Sequence, residues 1–364
     1  MIDTMYIFWE LEKTQFKDIR KKISSFTKLH IDKNDKNSIV TYKFAHCGFQ
    51  EIRLRANKLF HYWAIEIHLR PKLLVDSGNY INVTHSYELE EVRKRFNCVI
   101  QKYLQLDLPD FLYWKAKRID YAIDLLVDQN SIPIYMFLFK KGNIPKIMLY
   151  HDTSLKYFDS TTNVYLKSKN ITINWYDRYS TLEEKQEKTK KKYSNIKEAK
   201  NLLRFEIQCN NLKIDEIDEY SDFSNNSLFY LLNVELCQKK IEYYYDLIVG
   251  PGKYYTLNKA IEIIDSSIIC QRKRMLLRRI LESIARTGSV WKAKEEFINN
   301  QKSLKHADKE FSKRLNQIRK LNINPVTIPN QYKIEELENI QEKIKGYFLK
   351  GKYRKAFREP SYSK

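Results

Sequence analysis

Four stretches of the chain alternate between apolar and polar residues, at 62–69, 118–125, 171–176 and 202–209. Such alternation is typical of a β-strand that buries one face in a hydrophobic core. Polar outward faces are ordinary, but these four carry ionisable groups and a strand-end tyrosine. The residues are Glu66 and His68, Asp120 and Asp124, Tyr176, and Arg204 with Glu206. If the strands share one sheet, its open face combines carboxylates, arginines and a tyrosine.

Other stretches have apolar residues three or four apart, the spacing of amphipathic helices. Such helices are predicted at 16–26, 87–104 and 131–141, with further strands at 5–9, 39–44 and 51–55. A strand at 164–166 is expected to form a hairpin with 171–176. The highly charged residues 183–200 indicate an exposed helix or a connector. The expected fold is therefore α+β, an antiparallel sheet with helices on one face and an open polar face.

From about residue 227 onward the patterns are helical, after an acidic stretch rich in Asn and Ser. We therefore predict three parts, namely an α+β domain at 1–225, a helical domain at 226–345 and a basic tail at 346–364. Within the second part, helices at 272–286, 290–299 and 303–321 flank a short glycine turn, as in a helix-turn-helix or winged-helix unit. Its candidate phosphate contacts are Arg272, Lys273, Arg274 and Lys292. The alternative is an ordinary helical hairpin that packs on the sheet.

The chain has 364 residues and a net charge of +20, which favours a polyanionic partner, nucleic acid first and an acidic membrane second. A solvated basic surface is the alternative. The five cysteines are scattered and form no CxxC pair, so a disulfide framework or cysteine zinc site is not expected. The N-terminus lacks the pattern of a signal peptide, and no apolar run reaches the roughly 20 residues of a membrane span. We expect a cytoplasmic protein with no membrane partner.

A tyrosine at the end of a strand can attack a phosphodiester if a base and a cation assist it. Tyr176 is the candidate nucleophile, although a strand-end tyrosine can also simply pack and hydrogen-bond. Carboxylates that converge near a basic groove suit Mg²⁺ or Mn²⁺. The alternative is a set of surface ion pairs, Asp120 with Arg118 and Glu206 with Arg204, worth about 0–1 kcal/mol each.

Three short motifs, in this order, resemble those of the replication initiators of rolling-circle elements. They are Arg118-Ile119-Asp120, Tyr176-Asp177-Arg178 and Leu203-Arg204-Phe205-Glu206. The likeness is greatest to the filamentous-phage nicking protein family (gene II/X type) and extends more distantly to trans-acting plasmid initiators. Met1-Ile2-Asp3 and residues 65–72 are also similar to the phage family. The likeness covers residues 1–210 in patches and implies a Rep nuclease (HUH-like) sheet.

The resemblance implies that Tyr176 is the nucleophile and Arg178 its basic partner. It places the acidic metal positions on Asp120 and Glu206, and less directly on Glu66. Many rolling-circle nucleases hold the metal with two histidines that flank one apolar residue, and this chain has no such pair. A carboxylate site for Mg²⁺ or Mn²⁺ is therefore the version expected here. Tyr179 is the alternative nucleophile, and Arg118 and Arg204 are expected to contact DNA.

The implied function is metal-dependent nicking of one DNA strand at an origin, which leaves a 5′-phosphotyrosine and a 3′-OH primer for rolling-circle replication. The element is a plasmid or phage-like replicon, and origin DNA is the expected partner. No GxxxxGK[ST] motif is present, so a host helicase and polymerase are expected partners as well. The alternatives are a conjugative relaxase, a non-enzymatic DNA-binding regulator and a nuclease that uses water.

Overall fold

The computed structural model describes residues 1–149, 162–190, 192–210, 228–300 and 306–349. Within these ranges, nine strands form one sheet in the order β2-β3-β4-β5-β1-β6-β9-β8-β7, and every neighbouring pair is antiparallel. The strands are β1 Ile2–Glu10, β2 His30–Ile31, β3 Ser38–Thr41, β4 Phe49–Asn57, β5 Tyr62–Leu69, β6 Lys115–Leu126, β7 Asn163–Lys167, β8 Ile171–Asp177 and β9 Leu202–Asn210. A separate two-stranded sheet pairs β10 Tyr254–Tyr255 with β11 Glu336–Leu337.

Thirteen helices accompany the sheet in the described parts of the chain. They are α1 Lys13–Phe26, α2 Pro71–Val75, α3 Leu89–Cys98, α4 Ile132–Lys140, α5 Lys146–Leu149, α6 Arg178–Thr189, α7 Leu228–Leu231, α8 Val234–Ile248, α9 Leu257–Ser266, α10 Gln271–Thr287, α11 Val290–Asn300, α12 Ala307–Lys320 and α13 Gln341–Leu349. The α+β class and the antiparallel sheet are confirmed. Across the described ranges, none of the helices has the length and apolar character needed to cross a membrane.

The apolar face of the sheet forms the core. Trp175 of β8 and Phe205 of β9 stack with ring centroids 4.7 Å apart. Phe139 of α4 lies 5.5 Å from Trp175, and Tyr245 of α8 lies 6.2 Å from Phe205, centroid to centroid. The alternation of 171–176 and 202–209 therefore buries the faces that the pattern predicts, and helices α4 and α8 cover them.

Residues on both sides of position 225 share this core. The Tyr121 hydroxyl of β6 donates a hydrogen bond to the Leu231 carbonyl of α7 at 2.9 Å. Helices α8 and α13 pack against β6, and one hydrophobic cluster contains buried residues from 1 to 348. The expected boundary itself falls in 211–227, outside the described residues. Positions 346–349, expected in the basic tail, belong to α13, where Phe348 is buried. Residues 350–364 also lie outside the described ranges.

The helix expected at 87–104 is interrupted. Helix α3 ends at Cys98, and residues Val99–Tyr103 form a π-helical turn. The strand expected at 39–44 ends at Thr41, where a short 3₁₀ turn leads to Gly48 in the left-handed region at φ 95°. The hairpin of β7 with β8 and helix α4 are confirmed.

The helices predicted at 272–286 and 290–299 are present as α10 and α11, on either side of Gly288. Gly288 ends α10 in the left-handed region at φ 80°, and Ser289 Oγ accepts a hydrogen bond from the Lys292 amide at 3.3 Å. The buried face of α10 differs from the apolar face predicted from the sequence. Met275 is 47% exposed, whereas Leu277 is buried. The third helix begins at Ala307 among the described residues.

Candidate active site

A polar cavity of about 330 Å³ opens on the face of the sheet opposite the core, where β1, β6, β8 and β9 meet the first turns of α6. Strand register brings its residues together. On neighbouring strands, Tyr176 lies opposite Arg204, Asn174 opposite Glu206, and Asp120 opposite Gln208. Because side chains two residues apart share a face, these pairs form successive rows about 7 Å apart along the strands. The sequence-predicted convergence of Tyr176, Asp120 and Glu206 is thus present.

Tyr176 is 6% exposed, and its hydroxyl donates a hydrogen bond to Glu206 Oε2 at 2.9 Å. The other carboxylate oxygen, Oε1, accepts from Gln208 Nε2 at 2.7 Å. Burial and, next, the Glu206 charge raise the pKa of Tyr176 well above its usual range, while Arg204 and Arg178 oppose the shift. The phenol is therefore protonated at neutral pH, and the group placed to accept its proton is Glu206.

Asp120 is almost fully buried on β6. Arg118 Nε and Nη2 donate to its two carboxylate oxygens at 2.7 and 2.6 Å, and the Thr4 hydroxyl donates to Oδ2. Burial raises the pKa of Asp120 to about 7, with the nearby Glu206 charge adding to the effect and Arg118 opposing it. The ion pair with Arg118, which the sequence offers as a surface alternative, is thus formed but largely buried. Two carboxylates, those of Asp120 and Glu206, therefore face one cavity.

An aromatic stack borders Arg118. Its guanidinium carbon lies 5.3 Å from the centroid of the Tyr6 ring, and Tyr6 stacks on His68 with centroids 4.0 Å apart and planes within 10°. Burial and the charge of Arg118 lower the pKa of His68 to about 4. At neutral pH the imidazole is uncharged, so His68 offers the cavity a flat ring and a nitrogen lone pair.

The expectation that Arg204 contacts DNA is wrong in this structure, because its side chain is fully buried and its donors are occupied. Nε and Nη2 donate to Asp124 at 2.6 and 2.8 Å, and Nη1 donates to Asp3 Oδ1 at 2.7 Å. The alternative pairing of Arg204 with Glu206 is also incorrect, since Asp124 takes that place. Arg204 instead lies opposite Tyr176 on the neighbouring strand, where Asp124 and Asp3 hold it.

Arg178 begins helix α6 two residues after Tyr176, and its guanidinium carbon lies 6.0 Å from the Tyr176 ring centroid. Its Nε donates to the Ile81 carbonyl at 3.1 Å, and Nη2 donates to the Tyr80 carbonyl. Burial and the neighbouring Arg204 lower the pKa of Arg178 to about 10, so it stays charged at neutral pH. The cation expected beside Tyr176 is therefore present, fixed by backbone carbonyls.

Two expected site residues are not brought into the cavity, which corrects their assignment. Glu66 pairs with Lys117 and lies 3.9 Å from an Arg55 nitrogen, so its carboxylate serves a separate charge cluster. Tyr179 packs beside Leu182 and Ala199, and the Lys200 ammonium lies 5.1 Å from the centroid of the Tyr179 ring. Of the two candidate nucleophiles, Tyr176 is therefore the one that lines the cavity with Asp120 and Glu206.

The basic residues proposed at the C-terminal helices do not line this cavity. Arg272 and Lys273 are exposed at the start of α10, and Lys292 is exposed on α11 with its ammonium 5.3 Å from the Trp291 ring. Arg274 donates to the Asp265 carbonyl and is partly buried. Contact of these residues with DNA stays a prediction.

Several cavity residues were missed by sequence reasoning. Lys185 falls in the charged run after β8, and its spacing from Arg178 and Thr181 places the three on one helical face. Arg70 follows the alternating stretch 62–69, and Asp3 and Thr4 belong to the N-terminal strand. The helical spacing of Lys185 was a usable signal. The position of Asp3 depends on β1 being inserted between β5 and β6, which no local pattern indicates.

Within the described ranges, no group of three or more His, Cys, Asp or Glu side chains is arranged to hold a metal ion. A third oxygen is nevertheless present in the cavity. Asn174 Oδ1 is buried without a hydrogen-bond partner among the described residues, in the row of Glu206. Two carboxylates with an unsatisfied amide oxygen form a donor set that fits a hard cation such as Mg²⁺ or Mn²⁺.

Neither a scan with protein-family models nor a search of curated proteins returns a match to this chain.

Proposed function

We propose that the chain is a DNA nicking and strand-transfer enzyme that initiates rolling-circle replication of a plasmid or phage-like element. The observation that carries the proposal is the hydrogen bond from the Tyr176 hydroxyl to Glu206, in a cavity that also contains Asp120, Arg118 and Arg178. A phenol, a proton acceptor and fixed cations are the parts needed to attack a phosphodiester.

The proposed step begins when Glu206 takes the phenolic proton, because unassisted ionisation of this buried hydroxyl is strongly disfavoured. The Tyr176 oxygen then forms a bond to phosphorus as the bond from phosphorus to the 3′ oxygen breaks. The proton released by Tyr176 balances the one that the leaving 3′ oxygen takes up. Arg178 stays charged and offsets negative charge on the phosphoryl oxygens. The products are a 5′-phosphotyrosine and a 3′-OH end.

Asp120, Glu206 and Asn174 Oδ1 are the residues that would hold Mg²⁺ or Mn²⁺ in this proposal. Such an ion, when bound, supplies Lewis-acid polarisation of the phosphoryl group. In the structure Asp120 is shared by Arg118 and Thr4, and Glu206 is shared by Tyr176 and Gln208. These hydrogen bonds hold the two carboxylates in position in the cavity.

The finer architecture belongs to the same proposal: an HUH-like Rep nuclease sheet, with a winged-helix-like C-terminal region that binds duplex. The net charge of +20 and the exposed basic start of α10 support a nucleic-acid partner. Origin DNA is the proposed substrate, and a host helicase and polymerase would extend the 3′-OH end.

A labelled pool of random single-stranded oligonucleotides tests the reaction without knowledge of the origin. With Mn²⁺, a 3′-end label should become covalently attached to the protein, because the 5′-phosphotyrosine retains the downstream fragment. A 5′-end label should instead appear in a shortened, released strand. Digestion and mass spectrometry should locate the adduct on Tyr176.

The matched control is Tyr179→Phe, which removes a hydroxyl three residues away and outside the cavity. Tyr176→Phe should abolish labelling, and Tyr179→Phe should retain it. Cleavage by wild type without any adduct would point to a nuclease that uses water. Binding with neither cleavage nor adduct would point to a non-enzymatic regulator. A relaxase would give the same adduct and would differ in its preference for a transfer origin.

A further inference from the structure

The end of the cavity beyond Tyr176 is crowded with positive charge. Three cationic side chains line it, namely Arg70, Arg178 and Lys185, and a fourth, the fully buried Arg204, lies beside Arg178. Two carboxylates oppose them, Asp3 and Asp124. Although burial raises the pKa of Asp3, the charges of Arg70, Arg204, Arg178 and Lys185 together hold it well below its usual range. All four cations therefore act on one carboxylate, and an excess of two positive charges is left.

Two of these cations retain donors that the protein does not use. Arg70 is 9% exposed; its Nη2 donates to the Tyr80 carbonyl at 2.9 Å, but its Nε is buried with no partner among the described residues. Such a group is rare, because a buried donor left unpaired costs free energy. Lys185 is exposed at the mouth of the cavity, and it forms no ion pair with any other described residue.

The remaining cations hold this end in place. Arg178 and Arg204 both donate to the Ile81 carbonyl, and Arg178 shares the Tyr80 carbonyl with Arg70. The loop at Tyr80 and Ile81 thus holds three guanidinium groups close together despite their repulsion. A preorganised cationic cluster of this kind is complementary to an oxyanion that arrives with the substrate.

We propose that this end of the cavity is a second phosphate subsite, in which the Lys185 and Arg70 side chains bind the phosphodiester next to the one that Tyr176 attacks. The inference rests on the proposed function and adds to it a binding position for the neighbouring phosphate of the DNA strand. Arg178 lies between the two positions, because it is adjacent to the Tyr176 ring on one side and to Arg70 on the other. One bound phosphate would fix the register of the next against the nucleophile.

Salt dependence of binding tests the subsite without any need for cleavage. We would use a fluorescent oligothymidine and the full-length Tyr176→Phe protein, in which the nucleophile is absent. For single strands, the slope of log affinity against log salt changes by about 0.7 for each phosphate contact. Lys185→Gln should therefore reduce the slope by about 0.7 and lower affinity about tenfold at low salt.

The matched control is Lys188→Gln, on the same helix and with the same change of charge. Lys188 Nζ lies 3.4 Å from Glu184 Oε2, and the Lys188 side chain is 75% exposed. Lys188 does not line the cavity. Its replacement should leave the slope unchanged. Equal slopes for Lys185→Gln and Lys188→Gln would overturn the subsite, even if the Tyr176 adduct forms. A slope change specific to Lys185 would support it, even if no adduct is found and the nicking proposal fails.

Discussion

At the scale of single residues, the polar face contains two reacting groups, Tyr176 and Glu206, and other residues that hold these two in position. The hydroxyl is buried and its pKa is raised, so its reactivity depends on an acceptor within hydrogen-bond distance. Support comes from Gln208, which holds the other Glu206 oxygen, and from Arg204, which Asp3 holds on the strand beside Tyr176.

Replacement of the acceptor tests this division. Glu206→Gln keeps the shape of the side chain and a hydrogen bond to Tyr176 but removes the base, so adduct formation should fall by about 10²- to 10⁴-fold. Binding of the oligothymidine should change little. Glu66→Gln is the control, since Glu66 projects from the same sheet face but pairs with Lys117 outside the cavity. Similar losses from both substitutions would show that Glu206 is not the proton acceptor.

The raised pKa of Asp120 predicts a dependence of stability on pH. Its pKa of about 7 in the folded protein exceeds the usual value of an unfolded aspartate, so the folded state binds more protons between those values. The contribution of Asp120 to the free energy of unfolding should therefore decline from about pH 4 to pH 7. Asp120→Asn should remove this decline when both proteins are unfolded by urea in EDTA.

If the carboxylates bind a cation, Mg²⁺ should stabilise the wild-type protein at pH values above 7. The urea concentration at the midpoint of unfolding should then rise, and it should rise less for Asp120→Asn. The difference between the two proteins is the quantity to follow, because other buried carboxylates such as Asp3 contribute equally to both. A wild-type curve parallel to that of Asp120→Asn from pH 4 to 7 would contradict the assignment of the raised pKa.

At the scale of elements, the alternation of β6, β8 and β9 predicted both the buried face and the polar face, because a period of two leaves little freedom once one face is apolar. It therefore identified Tyr176, Asp120 and Glu206. Alternation does not reveal which strands are neighbours. The displacement of Glu66 and the contact of Arg204 with Asp3 follow from the insertion of β1 between β5 and β6. Asp124 pairs with Arg204 because the two residues lie opposite each other on β6 and β9.

Helix α6 also shows how far a sequence pattern alone can predict the site. The charged run after Tyr176 predicts an exposed helix or connector, and much of α6 is indeed exposed. Its start is fixed by Asp177, whose Oδ1 accepts from the Tyr179 amide at 3.0 Å and from the Ser180 amide at 3.4 Å. That cap aims the face of Arg178, Thr181 and Lys185 at the cavity. Charged residues of a helix usually face solvent. The N-cap at Asp177 and the spacing of these three residues, rather than the charged composition, therefore indicate that this face points toward the cavity.

At the scale of the whole molecule, the helices after residue 227 complete the core as well as carrying basic groups. Tyr245 of α8 packs on Phe205, and Tyr121 donates to the Leu231 carbonyl. Removal of these helices would expose the apolar face of the sheet, so a truncated chain would confuse weaker DNA binding with a failure to fold. The role of the basic helices is better tested in the full chain.

The exposed basic start of α10 is predicted to bind the backbone of duplex DNA. Arg272→Gln with Lys273→Gln should weaken duplex affinity and reduce the slope of log affinity against log salt by about 0.9 for each phosphate that the two side chains neutralise. Labelling by the single-stranded pool should remain near the wild-type level, because neither residue lines the cavity. Lys13→Gln with Lys17→Gln removes the same charge from exposed positions on α1 and serves as the control. A reduced slope for the α10 variant alone would assign duplex binding to this helix. Equal duplex slopes for the two double variants would mean that α10 makes no specific contact with duplex and that the C-terminal helices serve the core or a protein partner instead.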